Sequence, residues 1–252
     1  MIYVIGIGSG DLNTITPEAM EILKNCDALV GYKKYVDLVE KFLPPKIVYT
    51  SGMSQEISRC EFALTLSREY HKNVALISSG DSGVYGMAGL MLEVAKDTDV
   101  KIKIIPGITA ANSAAAILGA PLMNDYVVLS LSDLMTDWKI IEKRLTAACE
   151  GDFVICIYNP ASTQRPKHFK KACKIMLKYK SPETPCGYVR NIGREGEEYE
   201  IMTLKKIKNC KKIDMLCTVI IGNSKSYILN GKIITSRGYE MKSSGRNIFQ
   251  VS

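Results

Sequence analysis

The sequence predicts an α/β protein of two domains, with a parallel sheet in the first and a mixed sheet in the second. Three observations predict it. Short β-branched runs alternate with helix-period segments through the first half of the chain. A Gly119-Ala120-Pro121 break then interrupts the alternation. Beyond it, the later strands follow one another with little helix between them. In the first half, residues 2–7, 28–30, 47–49, 74–78 and 102–105 read as strands. Residues 16–25, 35–42, 55–70, 85–95 and 109–118 read as helices. The first helix has a defined start: Thr16 as N-cap, Pro17 at the first helical position and Glu18 in the first turn. The break, taken as a linker, divides the chain into domains over residues 1–120 and 121–240. In the second, residues 126–131, 153–158, 186–189, 199–203, 217–221 and 232–235 read as strands, with helices at 138–149 and 167–179. A polar tail at 241–252 is expected to fray.

At 252 residues, each half is long enough to bury its own core. A composition of 46% hydrophobic and 23% charged residues is ordinary for a soluble enzyme. No apolar run reaches the roughly 18 residues of a membrane span. Met1-Ile2-Tyr3-Val4-Ile5-Gly6 reads as a strand rather than a leader. A cytoplasmic protein is therefore expected. The 8 cysteines form no C-x-x-C pair and are expected as buried free thiols; with only 2 histidines, no metal site is expected. The net charge of +7 is mostly lysine, concentrated in 167–180 and 205–212. It reads either as a solvated surface or as attraction for an acidic partner, such as a polycarboxylate small molecule. No aromatic-interleaved basic stripe points to nucleic acid.

The first strand ends in Gly6-Ile7-Gly8-Ser9-Gly10-Asp11. A dinucleotide fingerprint would need G-x-G-x-x-G opening directly into a helix, and an acid at the end of the second strand. Here the spacing is G-x-G-x-G, the helix waits until Thr16, and the second strand ends Val30-Gly31-Tyr32-Lys33. All three requirements fail. A second glycine loop follows the fourth strand, Ser79-Gly80-Asp81-Ser82-Gly83-Val84-Tyr85, and a third follows the fifth, Pro106-Gly107-Ile108-Thr109-Ala110. Glycines let the backbone approach a ligand closely. Three such loops at the carboxyl ends of parallel strands point to one crevice for a nucleotide-like ligand.

These three loops resemble the N-terminal motifs of the tetrapyrrole methyltransferases. The similarity is greatest to the branch of that family acting at C17 of a corrin precursor. That narrower resemblance rests on Ser51-Gly52-Met53 with Glu56 and Arg59, and on Leu129-Ser130-Leu131-Ser132-Asp133-Leu134-Met135-Thr136. It rests also on Tyr158-Asn159-Pro160-Ala161-Ser162 with Arg165, on Val189-Arg190-Asn191-Ile192-Gly193-Arg194 and on Ile221-Gly222-Asn223-Ser224. The matching segments run from Ile5 to about Tyr239. The resemblance implies a two-domain tetrapyrrole-methylase-like fold and a homodimer. It implies S-adenosylmethionine between the domains, leaving as S-adenosylhomocysteine, and C17 methylation with ring contraction in cobalamin biosynthesis. Carried over by position, it implies cofactor contacts from Ser9, from Ser79, Gly80, Asp81 and Val84, from Thr109 and Ala110, and from Asn159 and Gly187. The chain departs from the family where Ser9 and Ser82 replace a usual proline. Serine makes both turns, but without a fixed φ it leaves the loops less preorganised.

A sulfonium methyl donor is already activated, so the protein need supply no nucleophile. It must exclude water and hold the ring carbon in line, which is worth about 7–11 kcal/mol of barrier. That accounts for the lack of a Ser-His-Asp or Cys-His pattern. His71 and His168 are both expected on the surface. Asp81 reads as a contact to the cofactor's amino group or as a cap for a helix starting near Val84. Tyr32 and Tyr35 read as contacts to the macrocycle, with packing under a helix as the alternative for Tyr35. Arg59, Arg165, Arg190 and Arg194 are candidates to fork onto acetate and propionate carboxylates. Ser132, Asp133 and Thr136 read as proton-moving groups or as caps for the helix containing Trp138, with Asp133 the first choice of acid/base. Whether the substrate carries cobalt stays open. A sibling enzyme acting on another ring carbon, or on a diphthamide side chain, is disfavoured by the Ser130–Leu134 and Tyr158–Ser162 segments. A noncatalytic basic nucleic-acid-binding protein is the reading from another class.

Overall fold

The structure, a computed structural model, describes residues 1–239. The tail expected to fray lies outside the described residues. The first sheet contains β1 (Ile2–Gly6), β2 (Ala28–Tyr32), β3 (Ile47–Ser51), β4 (Val74–Ser78) and β5 (Ile102–Ile105), all parallel, in the order β3-β2-β4-β1-β5. A parallel sheet needs both faces covered, and β4, Val74-Ala75-Leu76-Ile77-Ser78, is accordingly buried throughout. On one face Val4, Val30 and Leu76 pack against Cys60 and Ala63 of α3 (Glu56–Arg68) and Met91 of α4 (Ala88–Val94). On the other, Ile5, Leu29 and Ile77 meet Leu23 of α1 (Pro17–Asn25) and Val36 of α2 (Lys33–Val39). α1 starts as expected, with Thr16 Oγ1 accepting from the Ala19 N–H at 3.3 Å. The helix expected from residue 85 starts only at Ala88, because Tyr85 takes a left-handed φ of 53° and residues 81–87 form a loop.

The second sheet is mixed. It contains β7 (Tyr126–Ser130), β8 (Val154–Tyr158), β9 (Pro185–Arg190), β10 (Glu198–Thr203) and β11 (Cys217–Ile221), ordered β10-β9-β11-β8-β7. β7 and β8 run parallel; the other neighbours are antiparallel. α6 (Trp138–Glu150) and α7 (His168–Met176) cover one face, where Leu145, Phe169 and Met176 meet Ile155, Val219 and Ile221. The other face is covered by α5 (Ala110–Leu118), whose Ala111, Ala114 and Leu118 meet Cys156, Val189 and Ile220. So α5, which sequence grouped with the first half, is core of the second sheet. Gly119–Ala120, expected as a linker, is a strand, β6, paired in parallel with β13 (Lys232–Thr235). Sequence also missed the helix α8 (Leu204–Ile207) and the strand β12 (Ser226–Leu229), paired with β13. In β12, Tyr227, Ile228 and Leu229 are all exposed, so there is no in-out alternation to read. All eight cysteines are free; seven are buried and Cys210 is half-buried. No described helix is long and apolar enough to cross a membrane.

Candidate active site between the two sheets

β4, β1 and β5 are neighbours, so the three glycine loops leave the sheet side by side. They interlock through backbone. The Gly8 N–H donates to Gly80 O at 3.0 Å, and the Gly80 N–H donates back to Gly8 O at 2.7 Å. A Cβ on Gly6 would stand 2.6 Å from Gly80 O and 2.7 Å from Gly107 N, so no other residue fits there. Asp81 binds the second loop to the third: its Oδ2 accepts from Gly107 N–H at 2.9 Å and its Oδ1 from Gly83 N–H at 2.8 Å. It caps no helix. The two serines in place of proline are tied down by side-chain bonds that proline cannot make. Ser9 Oγ lies 2.9 Å from Thr14 Oγ1, and the buried Ser82 hydroxyl donates to Ile105 O at 3.2 Å. Hydrogen bonds thus hold both turns where a fixed φ is absent.

Three groups link these loops to the second sheet. The Tyr158 hydroxyl, at the end of β8, shares a 2.6 Å hydrogen bond with Thr109 Oγ1 and accepts from Ala111 N–H at 2.7 Å. Burial pushes the Tyr158 phenol above its ordinary value, which keeps it neutral. The Tyr85 hydroxyl accepts from Ser130 N–H at 3.1 Å and donates to Val128 O at 3.4 Å, covering the open edge of β7. Arg194, on the turn between β9 and β10, donates from Nε to Ser9 O at 2.8 Å and from Nη2 to Ser79 Oγ at 2.7 Å. The resulting cleft is lined by Ser9, Ser79, Gly80, Ala110 and Asn159 from the expected cofactor set, with Gly8 beside them. Tyr158 and Ile192, from the quoted motifs, line it too, as do Ser113, Leu216 and Thr218, which sequence reasoning did not single out.

The other expected residues scatter. Val84 follows Asp81 in the loop and Thr109 is held by Tyr158; neither lines the cleft. Gly187 lies within β9 beneath α5, where a Cβ would stand 2.7 Å from Leu118 Cδ2. Its smallness serves helix packing, and it does not line the cleft. Tyr32, Tyr35 and Arg59 come together in a second cavity with Met53, Glu56, Ser79 and Tyr85. Arg59 is buried there and donates to Ser51 Oγ at 2.7 Å and Gly52 O at 2.8 Å. Arg190 is taken by Asp214, Nε to Oδ2 at 2.9 Å. Arg165 is buried, with Nη1 donating to Leu131 O at 3.3 Å; among the described residues its Nε has no hydrogen-bond partner, although Asp133 Oδ1 lies 3.9 Å away.

The loop after β7 corrects two expectations. α6 is capped by Asp137, whose Oδ1 accepts from Lys139 N–H at 2.7 Å, so Ser132, Asp133 and Thr136 are not its caps. His168 is not a loose surface group. Its Nε2 lies 2.8 Å from Asp133 Oδ2, and its ring stands edge-on to Trp138 at 5.0 Å. The His168 hydrogen bond, foremost among several causes, holds the Asp133 carboxyl below its ordinary value. No local signal marked this pair, since His168 reaches Asp133 only when α7 packs beside the β7 loop. His71 is exposed, as expected.

Comparison with known proteins follows the same lines. Residues 1–208 match the family described as Tetrapyrrole (Corrin/Porphyrin) Methylases. A relative from Salmonella typhimurium, named probable cobalt-factor III C(17)-methyltransferase, is 48% identical over 243 residues, covering 96% of this chain and 100% of the relative. A relative of the same name from Methanocaldococcus jannaschii is 48% identical over 247 residues, covering 95% of this chain and 98% of its own length. The crystal structure of the methyltransferase CobJ superposes with a TM-score of 0.86 at 30% identity, covering 93% of this chain and 99% of that one. The interlocked glycine loops, the roof of the second sheet and these matches together establish that the chain belongs to the tetrapyrrole (corrin/porphyrin) methylase family.

Proposed function

We propose that this protein transfers a methyl group from S-adenosylmethionine to C17 of a corrin precursor, with ring contraction, in cobalamin biosynthesis. The observation that carries the reading is the meeting of three glycine loops, locked by backbone bonds and by Asp81, beneath Tyr158, Asn159 and Arg194. The names of the relatives support C17 and favour a cobalt-containing precursor. The cleft fits an adenosyl group: its walls alternate small or apolar residues (Gly80, Ile108, Ala110, Leu216) with hydroxyls and amides (Ser9, Ser79, Asn159, Thr218). When bound, the donor supplies an activated methyl. The protein's part is to place and enclose it. Ser9, Ser79, Gly80, Ala110 and Asn159 hold the donor directly, while Asp81 and Thr109 keep the loops in register from behind. Tyr32 and Arg59 in the adjoining cavity, Ser132 and Thr136 on the β7 loop, and Arg165 meet the macrocycle and its carboxylates. Asp133, braced by His168, handles the proton that ring contraction must move. The protein works as a cytoplasmic homodimer.

The test is incubation with S-adenosylmethionine and either the cobalt-containing or the metal-free precursor, followed by mass spectrometry. One added methyl on the cobalt form is expected. Methylation of a different tetrapyrrole carbon, with no gain on either precursor, would replace this reading by the sibling enzyme.

A further inference from the structure

We infer that Arg194 is the receptor for the α-carboxylate of S-adenosylmethionine. The inference rests on the cofactor reading above and adds a residue that the glycine motifs do not contain. Among the described residues, Arg194 is the one charged side chain lining the cleft. Its backbone is placed by a turn built to fold inward. Asn191, Gly193 and Gly196 all take positive φ, of 53°, 65° and 74°, and Gly193 lies so close to the Ser9 side chain that any Cβ would collide with it. The guanidinium then spans the first two glycine loops, reaching Ser9 O and Ser79 Oγ, with its carbon 5.8 Å from the Tyr35 ring centroid.

Charge decides what it is there to hold. Arg59, Arg165 and Arg190 each face an acid, Glu56 at 3.9 Å, Asp133 at 3.9 Å and Asp214 at 2.9 Å. Among the described residues, Arg194 has none. Of the two acids on its own turn, Glu197 is occupied by the Gly193 N–H at 2.7 Å, and the exposed Glu195 forms no ion pair with Arg194. Both bonds that Arg194 makes go to neutral oxygens, and Nη1 makes none among the described residues. A half-buried cation without an anion is costly unless a ligand supplies one. The donor molecule brings a sulfonium, an ammonium and one carboxylate, so its only anion has a single cation to meet in this cleft. A guanidinium can grip that carboxylate with two parallel N–H donors.

The experiment is calorimetric titration of the wild type, Arg194→Gln and Arg194→Lys with two ligands. One is S-adenosylhomocysteine; the other is S-adenosyl-3-thiopropylamine, which lacks only its carboxylate. The wild type is expected to favour S-adenosylhomocysteine by about 10- to 100-fold, the range for a charged hydrogen-bonded pair. Arg194→Gln should bind the two within about threefold, and Arg194→Lys should fall between, since a lysine keeps the charge and loses the fork. Retained binding of the decarboxylated ligand by Arg194→Gln shows that the cleft is intact. Equal weakening of both ligands would make Arg194 a brace for the loops and overturn the inference. Unchanged preference, with weaker binding of a corrin precursor alone, would overturn it in favour of a macrocycle carboxylate. A wild type that binds neither ligand would defeat the cofactor reading itself.

Discussion

Several side chains in this protein are explained by one contact each. Gly6 is glycine because Gly80 and Gly107 press against its α-carbon. Ser82 is buried and makes a hydrogen bond to the end of β5. Asp133 is held by His168, and its behaviour with pH follows. A carboxyl whose folded value is depressed adds stability above its unfolded value of about 3.9, and loses it as pH falls through the folded value. The pair is partly exposed, at 20% and 33% side-chain accessibility, so its worth is modest. His168→Gln is expected to cost less than about 1 kcal/mol near pH 5.5. Urea unfolding of both proteins should show that difference shrinking towards pH 3. The groups around the pair are Arg165, Glu142, which accepts from Trp138 Nε1 at 3.1 Å, and Lys171 over the Trp138 ring at 4.1 Å. A difference that grew on acidification would show that the Asp133–His168 bond is not what lowers the carboxyl.

Among the elements, α5 bears most on how the site is assembled. Its N-terminus continues the third glycine loop, while its alanine face is core of the second sheet. It therefore joins the two sheets through packing rather than through a flexible connection. Tyr158 secures its first turn by taking the Ala111 N–H, a group on a fully buried residue that would otherwise lack a partner. Tyr158→Phe removes that acceptor and the bond to Thr109. It is expected to lower stability by about 1–3 kcal/mol, the cost of an unsatisfied buried donor, read from the denaturant midpoint at unchanged slope. A loss near zero would mean that water replaces the phenol. The same helix gives Gly187 a packing role: a glycine matched by position to a ligand contact is also a seat for Leu118.

On the scale of the whole molecule, the cofactor should act as a cross-brace, because it would touch loops of the first sheet and the roof of the second together. A ligand that binds only the folded state stabilises by about 2.7 kcal/mol at one hundred times its dissociation constant. S-adenosylhomocysteine at that excess should raise the melting temperature by several degrees, and a melting temperature indifferent to it would argue against the proposed cleft. The amino-acid sequence by itself determined the α/β class, the glycine loops, the start of α1 and the family. Those features are written locally, in side-chain period, in glycines where backbone must approach backbone, and in a cap three residues from its partner. Only the tertiary structure decided that β4, β1 and β5 are adjacent, that α5 belongs to the second sheet, that Gly119–Ala120 is a strand and that His168 meets Asp133. It alone brought Arg194 to Ser9 across 185 positions of chain. Such contacts depend on which surfaces bury one another when the sheets pack, and no periodicity within a short segment records that choice.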